Sequence, residues 1–194
     1  MKIATKLLAS LAAAALLTAC ASGPKLASAG MFEAGSYSVP LSQDWTAFNI
    51  KTGKGKPAQL LTVDGTVLNS VYLYSDLKEG DSLMKERKRD NPVPKFTTDL
   101  SELELVEFLA DSLERGHGLL DVQTMNVEPS SFKGAEAIQF DFTAVNENGL
   151  KISGSSLLGV EDEKLNIVLY MAPTIHYYGK LKGDVSAMMT SLAS

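Results

Sequence analysis

Apolar and polar residues change their spacing several times along this chain, and each change marks an element. In "DLSELELVEFLADSLERG" (99–116), Leu105, Leu109 and Leu113 stand four apart, with Val106 and Phe108 beside them. Glu104, Glu107, Asp111 and Glu114 fill much of the remaining surface. That spacing predicts an amphipathic helix of about four turns. Ser101 and Glu104 supply a capping box, and Gly116 stands where a C-terminal cap belongs. Near the end of the chain, Val185, Met188, Met189 and Leu192 fall at i, i+3, i+4 and i+7, a second helix with Asp184 at its N-cap.

Elsewhere the period is two, or the run is apolar throughout. Strands are predicted at Tyr37–Val39 and near Trp45–Ile50, with Pro40 interrupting the ladder between them. In "LLTVDGTVLNSVYL" (60–73), Asp64-Gly65 sits between two β-rich runs and predicts a hairpin closed by a two-residue type I′ turn. Residues 75–100 are charged and contain Pro92 and Pro94, with room for a short helix at Ser82–Lys88. Residues 119–127 read as strand. In "GAEAIQFDFTAV" (134–145), Ile138, Phe140 and Phe142 alternate with Gln139, Asp141 and Thr143. A turn at Asn146–Gly149 leads to a strand from Leu150 to Val160, and a turn at Glu161–Lys164 leads to "LNIVLYMA". That last run is apolar on both faces apart from Asn166, so it belongs in mid-sheet, covered on both sides. The order is β-β-β-β-α-β-β-β-β-α. Hairpin connections make the sheet antiparallel. The apolar helix faces then pack on it, an α+β layered domain.

The first residues follow a different pattern. Lys2 and Lys6 precede an apolar run, Leu7 to Leu17, broken only by Ser10. This is the layout of a secretory signal peptide, and the run is too short to span a bilayer, which needs about 20 residues. Leu17-Thr18-Ala19-Cys20 closes it and resembles the lipobox of bacterial lipoproteins. The resemblance implies cleavage between Ala19 and Cys20, a diacylglyceryl group on the Cys20 thiol and acylation, as with palmitate, of the new amino group. It divides the chain into a signal peptide (1–19), a lipidated cysteine with a flexible tether (20–36) and one α+β domain (37–194). Ala21 is not the aspartate that retains such proteins at the inner membrane, so the periplasmic face of the outer membrane is the expected site. An ordinary signal peptide is the alternative, cut at Ala19-Cys20-Ala21 or Ala27-Ser28-Ala29.

Composition narrows the function. The formal charge of the whole chain is −5, and removing residues 1–19 takes away two lysines and no acid. An acidic envelope protein is a poor partner for nucleic acid. Cys20 is the single cysteine, so once acylated it leaves no thiol for a disulfide or a thiolate metal site. No cofactor and no metal are expected.

Three stretches resemble the PsbP-like domains, which include photosystem extrinsic subunits, a Ran-binding yeast protein and envelope lipoproteins of the DcrB type. "YSVPLSQDW" matches the strand-Pro-x-x-x-Trp opening. "FKGAEAIQFDF" matches the Gly-x-x-Ala strand, with Gly134 at a tight entry and Ala137 facing a close neighbour. "LNIVLYMAP" with the "MMTSL" helix matches the last strand and C-terminal helix. The likeness runs from Tyr37 to Leu192. It implies an antiparallel sheet sandwiched by helices and a non-enzymatic assembly or interaction module. No chloroplast or Ran-binding hallmark is present.

Candidate chemistry is sparse. Gly154-Ser155-Ser156-Leu157-Leu158-Gly159 has one residue too many for a nucleophile elbow and lies in a strand. Small residues lining a crowded strand are the better account of it. The enzymatic alternative is a periplasmic serine hydrolase using Ser155 or Ser156 with His176. His117, between two glycines past the first helix, suits a helix C-terminus as a cation. His176, Tyr177 and Tyr178 adjoin the last helix and are candidates for the rim of a ligand site. Glu161-Asp162-Glu163 offers carboxylates but lacks the spacing of a calcium loop. Lys85, Arg87, Lys88 and Arg89 form a basic knot, diluted by Glu86 and Asp90, that suits anionic headgroups or simple solvation. The expected partners are the membrane, through Cys20, and either an envelope protein or a small apolar ligand under the helices.

Overall fold

A computed structural model describes residues 23–86 and 90–193. The expected signal peptide, Ala19, Cys20, and Arg87 to Arg89 of the basic knot lie outside them.

The strands are β1 (Lys25–Ala27), β2 (Gly30–Ala34), β3 (Tyr37–Leu41), β4 (Trp45–Lys51), β5 (Pro57–Thr62), β6 (Ser70–Leu77), β7 (Leu120–Phe132), β8 (Ala135–Val145), β9 (Lys151–Glu161) and β10 (Lys164–Pro173). The helices are α1 (Glu102–Ser112) and α2 (Gly179–Leu192). Eight strands form one antiparallel sheet in the order β1-β4-β5-β6-β10-β9-β8-β7, and β2 pairs with β3 as a separate hairpin.

β10 lies inside the sheet, as its continuous apolar run predicts. Val168, Tyr170 and Ala172 join a core under α2 and the β2–β3 hairpin, and Leu165, Ile167 and Leu169 join a second core under α1. Burying each such side chain is worth about 1.5–3 kcal/mol, so alternation on one strand stitches both layers to the sheet. Asn166 is the polar exception. Its Oδ1 accepts from the Asp76 backbone N–H (3.0 Å) and the Ser36 hydroxyl (3.3 Å), where the β6–β10 register slips.

α1 begins as its sequence predicts. Ser101 Oγ accepts from the Glu104 N–H, and Glu104 Oε2 accepts from the Ser101 N–H at 2.8 Å. Its end differs. The chain widens into a π-type turn, Leu113–His117, and Gly118 (φ 70°) is the left-handed cap. Gly116 serves packing instead: a Cβ there would stand 2.9 Å from Met84 Cβ. α2 starts five residues before Asp184, so Leu181 joins its buried stripe, and the Asp184 carboxylate accepts from Gln43 Nε2 at 2.9 Å.

Three further expectations are corrected. Residues 82–86 are not helical, because the Ser82 carbonyl takes the Gly53 N–H (3.1 Å) of the β4–β5 turn. The β5–β6 hairpin exists, but it closes through residues 63–69. Asn69 Oδ1 organises that loop, accepting from Thr62 Oγ1 (2.9 Å) and the Val63 N–H (2.8 Å). Two-residue turns with both φ positive occur at Lys133-Gly134 and Asp162-Glu163. Most important, the flexible tether expected over 20–36 is folded from Lys25 onward, because its small residues are packing residues. Ala27 and Ala34 are buried, Phe32 packs against the same core, and Gly35 leaves room for the Ser75 side chain.

Candidate functional site

On β8, Ile138, Phe140, Phe142 and Ala144 point into the α1 core. Gln139, Asp141 and Thr143 therefore point to the α2 side. Neither α2 nor the β2–β3 hairpin covers this face fully at its outer strands, and the polar side chains meet there.

The β8–β9 register places Asp141 directly opposite Ser155. Ser155 Oγ donates to Asp141 Oδ1 at 2.5 Å and lies 2.8 Å from the Tyr178 hydroxyl, which itself stands 3.4 Å from Oδ1. Asn126 Nδ2 donates to Asp141 Oδ2 at 3.0 Å, and Lys182 Nζ is 3.5 Å from the same oxygen. Tyr178 is held in place by Tyr170. The two rings stack with centroids 5.4 Å apart, and the Tyr170 hydroxyl donates to the Tyr177 and Tyr178 carbonyls at 3.0 and 2.9 Å. Lys182, one turn along the helix, sits 5.3 Å from the Tyr178 ring centroid.

Partial burial works to raise the Asp141 pKa, but the hydrogen bonds from Ser155 and Asn126 and the charge of Lys182 outweigh it and lower it. Burial likewise works against the Lys182 charge, and Tyr178 and Asp141 outweigh it, so its pKa rises. Both groups are therefore charged at neutral pH. The ion pair forms the floor of a cleft of about 440 Å³ walled by Asn126, Val127 and Glu128 of β7 and by Val185, Ser186 and Met189 of α2. A second, mostly apolar cleft of about 370 Å³ lies toward the end of β8, lined by Gln123, Thr143, Val145, Lys151, Ile152 and Thr174. The first makes a trough along β8 with a more polar lining that includes Gln139, Asp141 and Ser155.

A nucleophilic serine needs a base within about 2.6–3.2 Å. The Ser155 hydroxyl donates to the Asp141 carboxylate, whose lowered pKa makes it a weak base. Ser156 is fully buried on the opposite face, with its hydroxyl directed at the Phe140 carbonyl (3.4 Å). His176 is exposed, with φ 73°, and hydrogen-bonds neither serine. The hydrolase pairing of Ser155 or Ser156 with His176 is not assembled. Of the three rim candidates, Tyr178 enters the cluster, Tyr177 packs against the core and His176 faces solvent. His117 packs edge-on against Tyr72, with ring centroids 5.1 Å apart. Glu161, Asp162 and Glu163 occupy a hairpin turn, and among the described residues no three metal-ligating side chains converge.

Sequence reasoning missed Asp141, Asn126 and Lys182. Asp141 reads as one more polar residue on an alternating strand, and only the register with Ser155 reveals its role. The i, i+4 spacing of Tyr178 and Lys182 was a legible signal.

No family model matches the chain, and no curated protein does. Solved structures similar to this chain include three from bacteria. Cyanobacterial PsbP (CyanoP) from Synechocystis sp. PCC 6803 is 10% identical, over 90% of this chain and 94% of that one, with a TM-score of 0.54. PA94 from Pseudomonas aeruginosa, a protein of unknown function, is 12% identical over 87% and 98%, at 0.45. LpqN, involved in cell envelope biogenesis of Mycobacterium tuberculosis, is 9% identical over 90% and 84%, at 0.33. The CyanoP likeness is one of architecture: a large antiparallel sheet with helices packed on it, the PsbP-like α+β fold.

Proposed function

We propose that this protein is a lipid-anchored module of the bacterial cell envelope that works by binding, without chemistry of its own. The reading has two supports. Leu17-Thr18-Ala19-Cys20 directly follows an apolar run with a basic start, and among the described residues no helix is long and apolar enough to cross a membrane. Acylation of Cys20 then supplies the attachment, at about 0.8 kcal/mol per buried CH₂, and two or three chains hold where one does not. The outer membrane's periplasmic face follows from Ala21.

The observation that carries the binding role is the trough along β8. It is open and built on strands, and its one serine with a charged partner has only a weakly basic carboxylate beside it, with His176 turned away to solvent. Its polar lining favours a polar ligand, or a polar segment of an envelope protein, while the mostly apolar second cleft suits the small apolar ligand expected from the sequence. Tethering raises the local concentration of such a module near membrane-bound partners. Photo-crosslinking in intact cells from a probe at Gln139 tests this. A recurrent crosslinked species, absent when the probe sits at exposed Leu103 on the opposite layer, supports the trough as the binding site. Identical patterns from both positions overturn it.

A further inference from the structure

Because folding begins at Lys25 and not at Tyr37, only Ala21 to Pro24 separate Cys20 from β1. At about 3.3–3.6 Å per residue, the Cys20 and Lys25 Cα atoms can stand at most about 18 Å apart. A domain held this closely must present a particular face to the membrane.

β1 runs antiparallel to β4, with Lys25 opposite Ala47 and Ala27 opposite Trp45. The chain therefore reaches β1 from the side of Lys51 and the β4–β5 turn. That corner gathers lysines. Lys25 and Lys51 are exposed on β1 and β4. Lys54 and Lys56 stand in the turn, and exposed Lys85 follows Met84, whose backbone lies against Gly53. The carboxylates among them are Asp81 and Glu86. Asp81 is buried and ion-paired with Lys54 and Lys56, and it also accepts from the Lys78 N–H. Among the described residues these five lysines outnumber Asp81, Glu86 and neighbouring Glu79, on a chain whose overall charge is negative. Across the same end of the sheet, the β9–β10 turn carries Glu161, Asp162 and Glu163. Lys133 and Lys164 offset part of that charge through Glu161 and Asp76, so the first corner is the more basic of the two. Leu26, 72% exposed, lies between Lys25 and buried Ala27 on the edge strand.

We propose that the β1 edge and the β4–β5 turn form the face on which this protein lies against an anionic lipid surface, with Leu26 entering the headgroup layer. The proposal rests on the lipid-anchor reading. The acidic β9–β10 turn, with three strands between it and β1 at the same end of the sheet, stands farther from the bilayer than the β1 edge. The opposite end of the sheet, where Ile175 is 78% exposed, points into the periplasm.

The test uses the processed protein purified from membranes and placed in phosphatidylglycerol-containing vesicles whose acyl chains carry bromine. Acylated Cys20 leaves an introduced thiol as the single labelling site, so a fluorophore is attached to Leu26→Cys or to Ile175→Cys. Loss of fluorescence is expected at position 26 and none at 175. The loss should be reversed by Lys51→Glu with Lys85→Glu, and by about 1 M salt, where screening acts within about 3 Å. Equal quenching at both positions overturns the proposal, as does quenching at 26 that ignores salt and charge reversal. Mass spectrometry of the same preparation separates the two readings. A bare terminus removes the anchor and this face together, whereas an acylated terminus with equal quenching removes the face alone.

Discussion

The two faces of β8 and β9 differ in how completely they are closed. On the α1 side, Ile138, Phe140, Phe142, Ile152 and Leu158 pack into one apolar layer. On the α2 side, the same strands present Gln139, Asp141 and Thr143, which are half-buried, beside buried Ser153 and Ser155, with a cleft open above Asp141. One pair of strands therefore does two jobs. A sheet face closed by a helix supplies stability. The face left half covered keeps hydrogen-bonding groups where a ligand can reach them. The contrast predicts that equal insults to the two faces have unequal consequences.

The largest effect is expected from Phe140→Ala. Phe140 is fully buried in the closed layer, and losing a phenyl ring from such a site costs about 3–5 kcal/mol. Denaturant unfolding should show that drop, and a loss below about 1 kcal/mol would mean that the α1 face is not the tight one. Next comes Gly154→Ala. Its new methyl would press on the Phe142 ring and stand 2.5 Å from the Tyr170 carbonyl oxygen, which is backbone and cannot swing away. Overpacking of this kind costs about 1–3 kcal/mol, read as a fall in the urea midpoint at unchanged slope.

Asp141→Asn probes the open face by its pH dependence. The Asp141 pKa is lowered in the folded protein. Its contribution is therefore fully present above the unfolded-state value of about 3.9 and is lost as pH falls through the lower folded value. Hydrogen bonds to a charged group make the cost at neutral pH about 1–2 kcal/mol. The wild-type and variant stability curves should be separated at pH 7 and converge below about pH 4. Parallel curves across the whole range would show that the charge adds nothing to this cluster.

The layered plan was legible because it follows from periodicity alone: α1 with its capping box, the alternation of β8, and β10 in mid-sheet. What escaped depended on contacts distant in sequence. The Ala- and Gly-rich stretch after Cys20 reads as a tether until β4 and Ser75 are beside it, since small residues serve flexible linkers and close packing equally well. Asp64-Gly65 carries the strongest local signal for a two-residue turn, yet Asn69 draws in the Thr62 hydroxyl and the Val63 N–H and opens a longer loop. The type I′ geometry went instead to Lys133-Gly134 and Asp162-Glu163. The candidate site was the least legible part. It needs the β8–β9 register to bring Asp141 to Ser155 and the Tyr170 hydroxyl to pin Tyr178 above them.

The smallest effect on stability should come from adding bulk to the open face. Ser186 lies exposed on α2 at the lip of the cleft. In Ser186→Trp the indole would occupy the space between α2 and Glu128 without displacing a packed neighbour. An exposed substitution away from caps and cores stays within about 0.5 kcal/mol. The matched change on the closed face, Leu158→Phe, adds volume where Leu158 is fully buried and should cost about 1–3 kcal/mol. Binding should respond in the opposite order. Ser186→Trp should abolish crosslinking from Gln139, and Leu158→Phe, where it stays folded, should leave it intact. If Ser186→Trp unfolds the protein as readily as Leu158→Phe does, the α2 face is as full as the α1 face and the trough is not a site.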